Sequence, residues 1–410
     1  MSTAATPSWR QVGQHAVFPQ ATHDEIARFD FLTRLNMHLS QQVLPGVRQA
    51  WKTRVEPAFV AAQGRPAADR HEVRRAMQRD LHYQLWSTLR RNSMEMRQQA
   101  GRSVVFRQLG TLRDKADALN AGAATLKLDP TIEQPRYQRA VDIHCMPGSY
   151  HAEVVERDIA AGANYDAGLF ATTAGMLGRY ADGGGQAIAE WLAKHRPEFK
   201  PKRILDIGCT IGHNIVPLAQ AFPEAQVLAI DTAATVLRYA HARAQSLGVR
   251  NIEFRQAAGE AVPADDNSFD LVTTAMFWHE TSTTAMPKIM REVHRVLAPG
   301  GITLHLEQPQ YAGMEPFEAF MRDWDAYNNN EPFWTRMHEA DLDRLLTQSG
   351  FAPGAYFETV MQAKVDRTLF PAPDPGSSSD GGGQEDYGRT PTWTAFGATK
   401  ATAPSVATSP

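Results

Sequence analysis

The sequence predicts an α/β protein: a Rossmann-like, seven-stranded, mostly parallel sheet with helices on both faces, preceded by an N-terminal α-helical domain. Three observations predict it. From about Gly183 onward, short apolar runs alternate with segments of helical periodicity, which is the pattern of βαβ units and of a parallel sheet. One of those runs, Arg203-Ile-Leu-Asp-Ile-Gly-Cys-Thr-Ile-Gly-His-Asn214, ends in a glycine turn and leads into a helix. Upstream, from Asp24 to about Arg113, apolar residues fall at helical spacing and strand signals are weak.

Residues 1–22 read as a flexible arm and 23–145 as the helical domain, with Pro45 and Pro57 dividing its first helical stretch because proline lacks the N–H a helix interior needs. Val73, Met77, Leu81, Leu85 and Leu89 step by four and so share one helical face. Arg74, Arg75, Arg79, Arg90 and Arg91 around that stripe read as a solvated helix surface. Helix-free polar sequence then runs to Asp142. Residues 146–200 form a lid or linker and a leading helix, marked by Ile188, Trp191, Leu192 and His195 and ended by Pro197 and Pro201. The domain at 201–400 carries strands at 203–207, 226–230, 252–256, 270–275, 301–307, 354–364 and 392–398. Its helices lie near 212–221, 233–247, 284–297 and 338–349. Residues 370–390, rich in Pro, Gly, Ser and Asp, read as a disordered loop and 401–410 as a tail.

At 410 residues and 43% hydrophobic, the chain exceeds one ordinary domain. A net charge of -3 gives no basic surplus for a nucleic-acid partner. Cys145 and Cys209, the only cysteines, are too few for a disulfide framework. The N-terminus lacks a signal-peptide layout, and no run approaches a membrane span. The expectation is a cytoplasmic protein with neither a nucleic-acid nor a membrane partner.

In the 203–214 run, Gly208 and Gly212 let backbone approach a ligand, and the helix starting near Gly212 offers free N–H groups. A dinucleotide G-x-G-x-x-G fails at Thr210 and His213. Asp206 at the strand end suits a cationic amino group better than a pyrophosphate. The pattern D-x-G-x-x-x-G resembles the first motif of class I S-adenosylmethionine-dependent methyltransferases, usually D/E-x-G-x-G-x-G. Val227-Leu-Ala-Ile-Asp231 ends in an acid nineteen residues after Gly212. Ala257-Ala-Gly-Glu-Ala-Val-Pro-Ala-Asp-Asp-Asn-Ser-Phe-Asp270, Glu292-Val-His-Arg-Val-Leu-Ala-Pro-Gly-Gly301 and Thr392-Trp-Thr-Ala-Phe-Gly-Ala-Thr-Lys400 resemble later motifs of the same family. The resemblance covers about half the chain and implies S-adenosyl-L-methionine as cofactor, with S-adenosyl-L-homocysteine as product. It implies that Asp231 accepts both ribose hydroxyls, as a carboxylate can. It places Asp206, Gly208, Cys209, Thr210, Gly212, Asn214, Thr232, Ala258, Gly259, Glu260 and Met276 around the rest of the donor.

Two positions depart from the family pattern. Thr210 replaces the middle glycine; a β-branched residue is strained at positive φ, so a negative φ is expected, with the hydroxyl near the methionine moiety. Ala258 stands where many relatives carry an aspartate for the adenine amino group, which shifts adenine recognition to backbone near Gly259 or to Glu260.

Ligands of open α/β sheets sit at the carboxyl ends of the strands, here Ala275-Met-Phe-Trp-His-Glu-Thr281 and His305-Leu-Glu-Gln-Pro309. His279 suits a general base, with Glu280 orienting it; the alternative is that His279 only packs and alignment does the work. Glu307 and Gln308 are candidates to hold substrate, with Tyr150, His151 and Tyr165 before the sheet and Tyr311 in the insertion at 310–334. The group His279, Glu280, His305 and Glu307 lacks the aspartates and asparagine of metal-dependent relatives, so no metal is expected. Cys145 shows no activating partner and reads as packing. The expected function is methyl transfer to a small organic acceptor, at oxygen or nitrogen, by direct displacement. The alternatives are a protein or RNA methyltransferase and a non-catalytic donor-binding interaction module. The helical domain is expected to cover the substrate or to pair two subunits as a homodimer.

Overall fold

The computed structural model describes residues 6–370 and 392–402. The loop expected at 370–390 and the tail at 401–410 fall mostly outside them. Among the described residues the sheet has eight strands, one more than expected: β1 (Leu126–Lys127), β2 (Arg203–Ile207), β3 (Gln226–Asp231), β4 (Ile252–Gln256), β5 (Phe269–Ala275), β6 (Leu297–Glu307), β7 (Tyr356–Gln362) and β8 (Thr392–Thr399). Their order is β1-β4-β3-β2-β5-β6-β8-β7, and only β8 runs antiparallel to its neighbours. The added strand, β1, pairs Leu126 and Lys127 with Phe254 and Arg255 at the edge. Two residues are too few to leave a periodic signal in sequence.

The central strand β2 is buried from Ile204 to Ile207 because helices cover both faces, which is why it reads as a continuous apolar run. Helices Gly183–His195, Ile215–Ala221 and Ala234–Ser246 pack on one face. Met286–Val296 and Leu342–Gln348 pack on the other. From β2 the chain winds outward to β3 and β4, then returns to β5 and β6. That reversal opens a crevice at the carboxyl ends of β2 and β5.

The N-terminal helices join this body. Val105, Leu112 and Ala163 share a core with Ile211 and Tyr239. Pro45 and Pro57 do not divide the early helix. Wider π turns at Leu39–Val43 and Trp51–Val55 precede segments that carry each proline in their first turn, so helical structure continues to Gln63. Of the arm expected at 1–22, the described part is not loose: Trp9, Val12, Val17 and Phe18 are buried. The Trp9 ring stacks on Phe29 at 4.7 Å and its Nε1–H donates to the Ala167 carbonyl at 2.8 Å. An aperiodic cluster of apolar residues gives no sequence pattern, although its burial is complete.

The stripe from Val73 to Leu89 also breaks. Helix Arg70–Met77 stops, and Asp80 caps a new helix, Leu81–Arg107, by accepting the His82 and Tyr83 N–H groups. The reset of phase leaves Leu81 79% and Leu85 54% exposed, while Tyr83 and Trp86 turn inward. Arg74 and Arg90 are buried, not solvated. Arg74 pairs with Asp323 at 2.9 Å and Arg90 with Asp325 at 3.6 Å. These pairs dock the insertion at 310–334 onto the N-terminal helices, where Phe317, Phe320 and Trp324 share a core with Trp51, Tyr83 and Trp86. Among the described residues, no helix is long and apolar enough to cross a membrane.

Candidate active site

The crevice opens into one cavity lined by Gly208, Thr210, Asn214, Asp231, Thr232, Gly259, Glu260 and Met276 on the side predicted for the donor. Gly208 sits at φ +75°, and a Cβ there would stand 2.3 Å from the Phe277 ring, so glycine is required. Thr210 adopts φ +48°, against the expectation of a negative value. Such a conformation costs about 1–3 kcal/mol and persists only when its surroundings enforce it. Here the Thr210 N–H donates to Asp231 Oδ2 at 3.0 Å, and its hydroxyl turns back to the Gly208 carbonyl at 3.4 Å, away from the predicted methionine contact. Asp231 Oδ1 accepts the Ala233 N–H at 2.9 Å. Each carboxylate oxygen thus keeps a lone pair for a ribose hydroxyl. Burial raises the Asp231 pKa to about 6, which leaves it ionised at neutral pH.

Asp206, Cys209, Gly212 and Ala258 lie behind this wall and do not line the cavity. The Asp206 carboxylate accepts the Thr273 hydroxyl at 2.8 Å, and burial raises its pKa to about 7. Burial holds the Cys209 thiol well above its ordinary value. Gly212 makes its turn at φ +72°.

On the acceptor side, Met276 at φ +52° turns the chain into Phe277–Glu280. His279 Nδ1–H donates to Glu307 Oε1 at 2.7 Å, so Glu307, not Glu280, orients it. Burial alone would lower the His279 pKa, but the carboxylates of Glu307, Glu331 and Glu280 outweigh it and raise the value to about 9. That direction favours the imidazolium, which has no lone pair for a substrate proton. Glu280 faces the cavity and accepts His144 Nε2–H at 2.9 Å and the Tyr150 hydroxyl at 3.1 Å. His144 Nδ1 lies 2.7 Å from a carboxylate oxygen of the buried Glu331, an ion pair across the ring from Glu280. Burial opposes the His144 charge; Glu331 and Glu280 prevail and raise its pKa to about 10. Burial first, and then Glu280, keep the Tyr150 phenol neutral.

Tyr150, His151 and Tyr165 line the cavity with His279 and Glu280; Glu307, Gln308 and Tyr311 do not. Glu307 lies behind His279 and also accepts the Trp278 N–H at 3.1 Å. Gln308 accepts from Arg322 at 3.1 Å, and the Tyr311 hydroxyl donates to Asp323 at 3.1 Å. Alternate residues of a strand share a face, but that rule does not extend past Glu307, where the strand ends. His305 is spent on Thr274 and Thr303 at 2.9 and 2.7 Å. Ligand atoms of His144, Glu280 and Glu331 lie within 4.8 Å of one another. The imidazole stands between the two carboxylates with one nitrogen on each, the geometry of an imidazolium bridge. Cys145 is packed, and burial raises its pKa to about 11.

Several lining residues have no counterpart in the sequence reading: Gln134, Tyr137, Gln138, Arg97 and His213. Gln134 to Gln138 fall in aperiodic polar sequence. His213 directly follows the glycine turn, and that adjacency was an available signal; burial lowers its pKa to about 4, so it is neutral.

The site defines a class: a Rossmann-like protein with a buried carboxylate at a strand end beside a glycine turn. Comparison agrees. Residues 204–301 match the methyltransferase domain family. An uncharacterized methyltransferase of Synechocystis sp. is 31% identical over 178 residues, covering 41% of this chain and 78% of that protein. The demethylmenaquinone methyltransferase of Thermus thermophilus is 36% identical over 112 residues, covering 27% of this chain and 50% of that protein. A ubiquinone/menaquinone biosynthesis C-methyltransferase of Pseudoalteromonas translucida is 32% identical over 135 residues, covering 32% and 51%. This chain belongs to the S-adenosylmethionine-dependent methyltransferase family. It spans about half the length of the demethylmenaquinone methyltransferases it matches.

Proposed function

We propose that the chain transfers a methyl group from S-adenosylmethionine to an oxygen or nitrogen of a small organic acceptor by in-line displacement. One observation carries the reading: a single cavity is lined both by Asp231 and by Glu280, Tyr150 and Tyr165. The donor, when bound, supplies a methyl activated on a sulfonium. Asp231 takes the ribose hydroxyls, and the turn at Gly208–Thr210 with Asn214 borders the methionine end. Glu280, fixed by His144 and Tyr150, accepts the acceptor's proton as the methyl arrives. His279 is a positioning residue: its ion pair with Glu307 fixes the turn from which Glu280 projects. The rings of Tyr150, Tyr165 and Phe277 suit a planar or apolar acceptor.

The test is mass spectrometry after incubating the full chain with isotopically labelled donor, a small-molecule extract and, following the relatives' names, demethylmenaquinone. Label on oxygen or nitrogen of a small molecule is expected. Label on carbon overturns the atom type, and label on protein or RNA overturns the acceptor class. Donor binding without transfer favours an interaction module.

A further inference from the structure

We propose that the donor's nucleobase is recognised by the N-terminal segment Gln134–Gln138, with Tyr137 covering the base. This rests on the methyl-donor reading above. With the ribose at Asp231, the base extends toward the adjacent strand ends, at Thr232 after β3 and Gly259–Glu260 after β4. The sheet supplies little for it there. Ala258 has no polar side chain, and Gly259 has none at all; a Cβ on Gly259 would meet Ile207 at 3.1 Å. Glu260 is engaged by the Tyr137 hydroxyl at 3.3 Å.

The missing wall comes from far upstream. Gln134 donates to the Thr232 carbonyl, and the Thr232 hydroxyl donates to Gln138 Oε1 at 2.8 Å. Tyr137 is braced edge-on by Phe333 at 5.8 Å. Gln134, Tyr137 and Gln138 all line the cavity that Asp231 lines. Segment 134–138 therefore bonds to both residues that flank the base position and sets an aromatic face between them. With its carbonyl committed to Thr232, Gln138 has its amide N–H groups to offer a ring nitrogen of the base. The N-terminal half then belongs to the donor site as well as to the acceptor site.

Calorimetry on the full chain separates the base from the rest of the ligand by using S-adenosylhomocysteine and S-ribosylhomocysteine, the same molecule without adenine, with competition for the weaker one. Tyr137→Ala is expected to weaken S-adenosylhomocysteine about tenfold or more, within the range of a base–aromatic contact, and to leave S-ribosylhomocysteine unchanged. Tyr137→Phe keeps the ring and should bind nearly as the native chain does. Tyr137→Leu, which keeps apolar contact with Phe333, gives the same discrimination if the alanine variant does not fold. Equal losses on both ligands, or none on S-adenosylhomocysteine, overturn the proposal while the methyl-donor reading stands. Failure of the native chain to bind S-adenosylhomocysteine overturns both.

Discussion

Glu307→Gln should reduce an alkaline loss of stability expected of the native chain. The His279–Glu307 pair is fully buried, at 2.7 Å. The carboxylates raise His279 from 6.5 to about 9 in the fold. A raised pKa stabilises the folded state fully below the unfolded value, and that stability is lost as pH climbs through the folded value. The window is therefore about pH 6.5 to 9, and a shift of this size corresponds to about 3 kcal/mol. Glu307 itself is held below its ordinary value, so its share is lost on the acid side, as pH falls below the carboxylate range. Glutamine keeps an oxygen for the Trp278 N–H but no charge, so His279 loses the strongest of the carboxylates that hold its proton and its pKa falls toward the value burial favours. Urea unfolding of both proteins between pH 6.5 and 9 reads the effect. The variant should be less stable by up to about 3 kcal/mol at pH 6.5, and the gap should narrow toward pH 9. A gap of the same size at both ends of the range would refute the pairing argument.

Asp231→Ala should weaken S-adenosylhomocysteine by roughly 1.5–3 kcal/mol in calorimetry, the scale of hydrogen bonds to a charged group; unchanged affinity removes Asp231 from the donor site. Glu280→Gln should cut turnover by about 10²–10⁴ with donor affinity intact, and a loss under about tenfold leaves alignment as the mechanism. Trp9→Ala should cost about 3–5 kcal/mol of stability. A melting curve barely moved by that change would return residues 7–18 to the status of a loose arm.

The methyltransferase half was legible because its signals are local. Strand β2 coincides with the 203–207 reading, and β3 to β8 lie within a few residues of theirs. Gly208 and Asp231 follow from the chemistry of one turn and one strand end. The departures share a cause: contacts set by distant segments. Thr210 looked constrained by its own side chain, yet a hydrogen bond from its backbone to Asp231, 21 residues on, stabilises the strained turn. His279 and Glu280 were identified together, but their roles depend on Glu307 and His144, whose approach no spacing encodes. Arg74 and Arg90 looked like surface residues because their carboxylates, Asp323 and Asp325, lie more than two hundred residues away.

The same non-locality explains why the two halves of the site differ in kind. Gly208 and Asp231, proposed to contact the donor, follow or end adjacent parallel strands, and the sheet fixes their spacing. The acceptor side has no such frame. Glu280 is held by His144 from the N-terminal half, and His144 is held by Glu331 from the insertion after β6. That insertion is seated by Asp323, whose oxygens take Arg74 at 2.9 Å, the Tyr311 hydroxyl at 3.1 Å and the Thr335 hydroxyl at 2.6 Å. A buried carboxylate with several donors is stable only when all of its partners are in place. The geometry at Glu280 is thus tied to the docking of the N-terminal helices against the insertion. Changes in that interface should alter acceptor choice and turnover before they alter the donor affinity proposed to depend on Asp231. A methyltransferase sheet of this kind can acquire a new acceptor by changing what packs over it, with the strand ends that hold the donor left as they are.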